Sequence, residues 1–532
     1  MTRFRVLVSD PLDTDGLDIL RSSGQIEVLV ETKLAHDDLK RRLNEVDGVV
    51  VRSGTTITAD LLEGNTRLKV IGRAGIGVDN VDVPAATRIG AVVMNTPGGN
   101  AVTTAEHAIA LMMAAARMIP QAHAKLQAGT WDRKTFVGTE LSGKTLGVVG
   151  LGNIGALVAE RGQGLKMRVA GYDPFVTKER AAKLGIELMD LDELIRSADV
   201  LSLHVPLGDK TRNLIAWPQF QAMKKTAILV NAARGGIVNE ADLDRALREG
   251  EIAAAAADVF ETEPLSADSP LLTNPKMVVT PHLGASTYEA QIKVAVAIAE
   301  QINAFLLGGE VRNAVNAPSV TQETLERVGP FIELGGHLGA LVSQLHEGPV
   351  ARIVARFEGE LAAQDSTPVV ARIVQGVLSQ ATDEPVNVVN AVDTARRRGI
   401  DIEVTQNAHA EDYVSSLVVK LEGAEGATEV TGTVFGKREP RIVGIDSFHL
   451  EAWLQPGPLV LVENRDVPGV IGRVGSLMGE AGVNIAQMFV GRTGEKGDRA
   501  LTLITLDSPA DEALLGRLRA IDGMVSVRQV LL

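Results

Sequence analysis

Residues 146–155 read LGVVGLGNIG, and no other feature of this chain restricts its fold as much. An apolar run leads into Gly150, Gly152 and Gly155, spaced G-x-G-x-x-G, at the opening of a helical pattern. Gly150 suits a tight turn out of a strand. Gly152 leaves no side chain where a diphosphate would approach the backbone, and Gly155 lets the following helix close on the strand. The first turn of that helix offers free N–H groups and the positive end of its dipole to an anion. About 18 residues on, Asp173 ends the next strand candidate, RVAGYD, where a carboxylate accepts both ribose hydroxyls and repels a 2'-phosphate. This combination predicts an NAD site on a Rossmann-type, doubly wound parallel sheet.

The rest of the chain agrees with α/β architecture. FRVLVSD, QIEVLV, GVVVRSG and LKVIGRAG alternate with helical patterns at 16–22 and 36–43, which is the rhythm of a first, flavodoxin-like parallel sheet. Six further strand candidates, KTLGVVG, RVAGYD, VLSLHV, AILVNAA, AAAADVF and MVVTPH, make a second doubly wound unit. The helical stretch 287–307 is expected to return to the first unit. The domains expected are therefore a discontinuous substrate-binding domain (1–98 and 286–315), a dinucleotide domain (99–285), an α+β intervening domain (316–455) and a terminal domain (459–532). The last reads strand, helix, strand, strand, helix, strand, the ferredoxin-like βαββαβ order.

Composition narrows the chemistry. With 0 cysteines, the chain carries no disulfide, thiolate nucleophile or zinc-cysteine site. A net charge of −14 argues against nucleic-acid partners, so any anionic ligand must find locally placed arginine and lysine. No metal ligand set is expected. The N-terminus lacks a signal-peptide pattern, and the apolar stretch 101–119 contains Glu106, His107 and Arg117, which marks a buried helix rather than a membrane span. A cytoplasmic protein is the expectation.

Three residues downstream of the glycine motif stand at strand exits, where open α/β sheets bind ligands. Arg234 follows AILV, and its planar fork matches a substrate carboxylate. His282 follows MVVTP and is a base near neutral pKa for a hydroxyl proton. Glu263, on the exit loop of the strand before it, can hold the second imidazole nitrogen. Singly, these would read as a turn arginine, a satisfied histidine and a solvated carboxylate. Their shared placement points to catalysis. Asp258 ends a strand in the same half. Two more arginines, Arg52 beside Ser53 and Arg73 beside the backbone of Ala74 and Gly75, lie just past strands of the first unit and are candidates for holding an anion.

The runs GLGNIG, NAARGGIVNE, DVFETEP and TPHLGAST resemble the D-isomer-specific 2-hydroxyacid dehydrogenases, over about the first 315 residues. The remainder resembles the family's long form, with an intervening allosteric substrate-binding domain and a C-terminal ACT regulatory domain. The resemblance implies that Arg234 orients the substrate carboxylate, His282 exchanges the hydroxyl proton and Glu263 supports His282. It implies NAD contacts from Asn153, Ile154, Asp173, Ala232, Arg234, Asp258, His282, Gly284 and Ala285, besides the glycine motif. It further implies oxidation of 3-phospho-D-glycerate to 3-phosphohydroxypyruvate, the first step of L-serine synthesis, with another D-2-hydroxyacid such as glyoxylate or hydroxypyruvate as the alternative. The phosphate would fall to Arg52, Ser53, Arg73, Ala74 and Gly75, with Arg133 reaching in from a neighbouring subunit. In the ACT-like segment the matching positions Asn464, Asp466 and Asn484 imply an L-serine effector site between two subunits. A homotetramer is expected, with helix 101–119 packed on its twin. Lys437, Arg438 and Arg441 read as a solvated hairpin in preference to a second anion site.

Overall fold

The computed structural model describes residues 4–318, 322–379, 382, 385–410, 412–436, 439–454, 457–493 and 498–532. The first sheet contains β1 (Phe4–Val8), β2 (Ile26–Val30), β3 (Gly48–Val51), β4 (Val70–Arg73) and β5 (Val92–Met94). They pair in the order β2-β1-β3-β4-β5, all parallel. Helix Tyr288–Gly308 returns to this unit, and its Val294, Ile298, Ala299 and Ile302 share one core with Val6, Val8, Val70 and Val92. That helix is long and apolar enough to cross a membrane by length and composition. Its apolar side is consumed by this core.

The second sheet is built from β6 (Thr145–Val149), β7 (Arg168–Tyr172), β8 (Glu187–Leu188), β9 (Val200–Leu203), β10 (Ile228–Asn231), β11 (Ala254–Ala257) and β12 (Met277–Val279). Its order is β12-β11-β10-β9-β6-β7-β8. The six anticipated strands are joined by β8, whose two residues are too few to leave a pattern. The order reverses between β6 and β9, and that switch point opens the crevice where such sheets bind dinucleotides. Helix Ala101–Arg117 lies on one face, with Ala105, Ala108, Leu111 and Met112 packed among Val148, Val230, Ala256 and Val278.

The third sheet differs from expectation. β13 (Val350–Gly359), β14 (Asp401–Asn407), β15 (Ser415–Gly423), β16 (Gly426–Phe435), β17 (Glu439–Ile445) and β18 (Phe448–Trp453) are followed by β19 (Pro458–Arg465), β20 (Ile485–Arg492), β21 (Arg499–Leu506) and β22 (Met524–Leu531). The last four, with helices Val470–Glu480 and Glu512–Arg519, form the predicted βαββαβ unit, antiparallel throughout. That unit does not stand alone: β20 pairs with β18 through His449 and Arg492, so ten strands make one continuous sheet. The segment 385–390 also reaches back to the first unit, where Val389 enters its core and the Asn387 amide donates to Gly90 O at 2.9 Å. Lys437 and Arg438 lie outside the described residues. Arg441 stacks on Phe435 and pairs with Glu439 and Glu451, so its charge is already committed.

Candidate active site

The glycine motif adopts the conformation its spacing requires. Gly150 has φ +91°, and Gly152 caps helix Asn153–Gly164. A Cβ on Gly155 would overlap Gly150 O, whereas one on Gly152 would meet nothing within 4 Å. The first glycine contact is structural, and the second leaves space in front of a helix start. Asn153 is exposed beside that space and Ile154 is half-buried against the core. Asp173 Oδ2 accepts from Leu151 N at 2.8 Å and Oδ1 from Phe175 N at 2.8 Å, so the ribose-site carboxylate also braces the glycine loop. An open diphosphate approach, a helix N-terminus and an acidic ribose site fit NAD.

The three catalytic candidates converge because β10, β11 and β12 are parallel neighbours in register. Asn231 lies beside Ala257, and Ala257 beside Val279. Arg234 sits three residues past Asn231, whose amide donates to Arg234 O at 3.0 Å and accepts from Ala233 N, locking the turn. Ala232 is buried in the same turn. His282 sits three residues past Val279 with φ 55°, its N–H bonded to Asp258 O at 2.9 Å. Asp258, 1% exposed, accepts from Leu283 N, Gly284 N and Thr280 Oγ1 at 2.6–2.8 Å. Thr104 Oγ1 completes the clamp by donating to Gly284 O, and Ala285 continues the turn. The Asp258 carboxyl is held below its ordinary pKa: burial opposes this, but the bonds from His107, Thr280 and Leu283 N outweigh it.

His282 Nδ1 lies 2.7 Å from Glu263 Oε2, and Glu263 Oε1 accepts from Phe260 N at 3.0 Å. The Nδ1–H therefore donates to the carboxylate, which leaves Nε2 as the free nitrogen. The Glu263 hydrogen bond raises the His282 pKa above its ordinary value, against the opposing effect of burial. Glu263 moves downward in turn: burial opposes, and the bonds from His282 and Phe260 N prevail. The pair borders a cleft of about 600 Å³ that Ser53, Phe260 and Pro264 also line.

Beside this cleft, Arg73 lies close enough to Arg234 and Arg52 to feel both charges. Arg73 drops to about 10, first through burial and then through Arg234, with Arg52 adding to the same effect. Its Nε is buried without a hydrogen-bond partner. Ala74 N is bonded to Val51 O and Gly75 N to Arg73 O. Arg52 Nη1 donates to Pro11 O at 3.1 Å. Arg133 stands exposed on the loop after helix Ile119–Gln127 and does not line this chain's cleft.

Several participants carry no motif. Asp10 accepts from Arg52 N at 2.6 Å and from Thr55 Oγ1 at 2.8 Å, which fixes the Arg52 loop. Asn80 donates to Arg52 O at 2.6 Å, and Asp79 accepts from Arg234 Nε at 2.8 Å. His107 reaches Asp258 Oδ1 at 3.2 Å from the long helix. The signal for Asp79 is its place as the first of two acids within RAGIGVDNVD, six residues after Arg73, the second being the helix cap Asp82.

The effector candidates do not meet within one chain. Asn464 is buried in β19 opposite Ala500, with its Oδ1 unpartnered and Nδ2 on Arg465 O. Asp466 pairs with Arg492 at 3.1 Å. Asn484 precedes Ile485, which lies opposite Leu506 at the far end of β21, and donates to Asp507 Oδ2.

Comparison with known proteins extends along the whole chain. The NAD-binding domain of D-isomer-specific 2-hydroxyacid dehydrogenases matches residues 109–284, the D-3-phosphoglycerate dehydrogenase intervening domain matches 327–446, and the ACT domain matches 459–523. D-3-phosphoglycerate dehydrogenase of Archaeoglobus fulgidus is 43% identical over 527 residues, covering 99% of both chains. That of Bacillus subtilis is 39% identical with the same coverage. The solved NAD complex of an NAD-dependent formate dehydrogenase from Staphylococcus aureus is 28% identical with TM-score 0.53, covering 59% of this chain and 100% of that one. On full-length identity, the chain belongs to the D-3-phosphoglycerate dehydrogenases of the D-isomer-specific 2-hydroxyacid dehydrogenase family.

Proposed function

We propose that this chain oxidises 3-phospho-D-glycerate to 3-phosphohydroxypyruvate with NAD, opening L-serine synthesis. The observation that carries the reading is the placement of Arg73 within the electrostatic reach of Arg52 and Arg234, and of Arg234 within that of His282, beside the cleft that Ser53 shares with the His282–Glu263 pair. A 2-hydroxyacid needs one cation for its carboxylate, and two more suit a phosphate. Arg234 takes the carboxylate. Arg52, Ser53 and Arg73 take the phosphate, with Arg133 supplied by a neighbouring subunit; the expected backbone donors at Ala74 and Gly75 are already bonded to Val51 O and Arg73 O and do not contribute. NAD, when bound, supplies the two-electron acceptor. His282 Nε2 removes the hydroxyl proton, and Glu263 stabilises the imidazolium that results. Gly150, Gly152, Asn153, Ile154, Gly155, Asp173, Ala232, Asp258, Gly284 and Ala285 form the cofactor cradle.

The test compares NADH oxidation with 3-phosphohydroxypyruvate against hydroxypyruvate, glyoxylate and pyruvate. A preference of at least about a hundredfold in kcat/KM, roughly 3 kcal/mol of transition-state discrimination, is expected. Equal activity with the unphosphorylated acids would discard the phosphate pocket.

The pH dependence has a defined sign. Oxidation requires neutral His282, so its rate falls as pH drops through the raised His282 pKa, while reduction keeps its proton donor there. Glu263→Gln removes the anion that raises this pKa. The acid limb of the oxidative profile should move to lower pH as kcat falls, and an unmoved limb would show that another group titrates.

The ACT domain suits a small-molecule effector. Because Asn464 and Asn484 lie at opposite ends of β21, an L-serine site needs two chains side by side. Trp131 and Val137 are each 78% exposed on the loop that carries Arg133, and Ile119 and Leu126 are 53% exposed nearby. This apolar surface supports burial against another subunit, and a homotetramer is the assembly we favour. A cytoplasmic location accords with this biosynthetic role.

A further inference from the structure

Arg234 and Asp79 come from different sheets. Arg234 follows β10 in the dinucleotide half, and Asp79 lies on the loop after β4 in the other, 155 residues earlier. Their contact at 2.8 Å therefore joins the two units. The Asp79 side chain is 62% exposed, and an exposed pair of this kind contributes little to folding stability. What it does determine is geometry.

The Asp79 loop is pinned on both sides. Asn95 Nδ2 donates to Ile76 O at 2.6 Å, and Asn80 Nδ2 donates to Arg52 O, with Asn80 O accepting from Ile57 N at 2.8 Å. The carboxylate thus stands at a preset position. Opposite it, Arg234 Nε is taken by Asp79 and Nη1 donates to Ala233 O at 2.6 Å. Arg234 Nη2 occupies the place where residue 77 would carry a Cβ, which explains Gly77. Two fixed contacts define the plane of a guanidinium, and the outward N–H groups of its terminal nitrogens remain for a second carboxylate.

We propose that Asp79 is a positioning residue for the reaction: from the opposite unit it holds the Arg234 guanidinium in the plane that receives the substrate carboxylate. The proposal rests on Arg234 being the carboxylate anchor. It also gives a role to an acid set between two arginines, since Asp79 offsets the repulsion between Arg234 and Arg73 while substrate is absent. Asp79 touches no reacting atom and acts through Arg234 alone.

A double-mutant cycle tests this, with steady-state reduction of 3-phosphohydroxypyruvate, NADH fluorescence titration and thermal melts for the parent, Asp79→Asn, Arg234→Lys and the double variant. Asp79→Asn should lower kcat/KM about thirtyfold, chiefly through KM, with NADH affinity and Tm unchanged. Asp79→Glu should recover part of the loss. In the Arg234→Lys background the same substitution should cost less than about threefold, because a lysine has no plane to fix. Equal losses in both backgrounds, or no loss in the parent, would overturn the positioning role while leaving the Arg234 anchor intact. An Arg234→Lys variant that keeps full kcat/KM would overturn the anchor reading and this proposal with it.

Discussion

Replacing His282 by Gln should slow turnover by about 10³-fold, while NADH binds as it does to the parent and Tm changes little. The size follows from the role. Nε2 is the only ring nitrogen free to take the hydroxyl proton, because Nδ1 is committed to Glu263 at 2.7 Å. Glutamine preserves a polar group of similar length but has no basic nitrogen. Binding survives because the backbone of residue 282, not its ring, carries the loop: His282 N–H is held by Asp258 O, and Leu283 and Gly284 by the Asp258 carboxylate. The strain at φ 55° is borne by those same backbone bonds, which the substitution leaves in place. The measurement is single-turnover oxidation beside an NADH titration. A kcat within tenfold of the parent would remove His282 from the proton path. A matching loss of NADH affinity would assign it to cofactor binding instead.

The sequence revealed the parts of this site that a strand places by itself. Arg234, Glu263 and His282 each follow an apolar run on β10, β11 or β12, and parallel neighbours in register bring three exits together without further information. Helix His36–Leu43 was equally legible, from its amphipathic period. Asp79, Asn80 and Asn95 were not, because each acts on a partner in another element, 155, 28 and 19 residues away, and no spacing encodes that. Short strands were missed for a different reason. β5 and β8 have three and two residues, below the length at which alternation can be read. The union of β18 with β20 was hidden because one residue pair joins them, and an edge strand carries no mark of what it will meet. The docking of Val389 into the first unit's core is similarly long-range, and it ties the intervening segment to the corner after Arg88 from which β5 begins.

The glycine motif separates folding from binding, and two substitutions three residues apart should show it. Gly152→Val places its side chain where this structure has nothing within 4 Å of the Cβ, at extended backbone angles (φ −71°, ψ −161°) that valine adopts readily. The fold should be indifferent. The diphosphate, however, must approach this backbone to reach the N–H groups of helix Asn153–Gly164, and a branched side chain occupies that approach. NADH affinity should fall about a hundredfold or more with Tm within about 2 °C of the parent. Gly155→Ala should do the reverse in kind, because its Cβ overlaps Gly150 O and forces helix and strand apart, so Tm falls first and affinity falls with it. Fluorescence titration and thermal melts on both variants decide the matter. A Gly152→Val protein that binds NADH normally would mean that the diphosphate does not lie on this loop, and the Asp173 ribose assignment would fall with it.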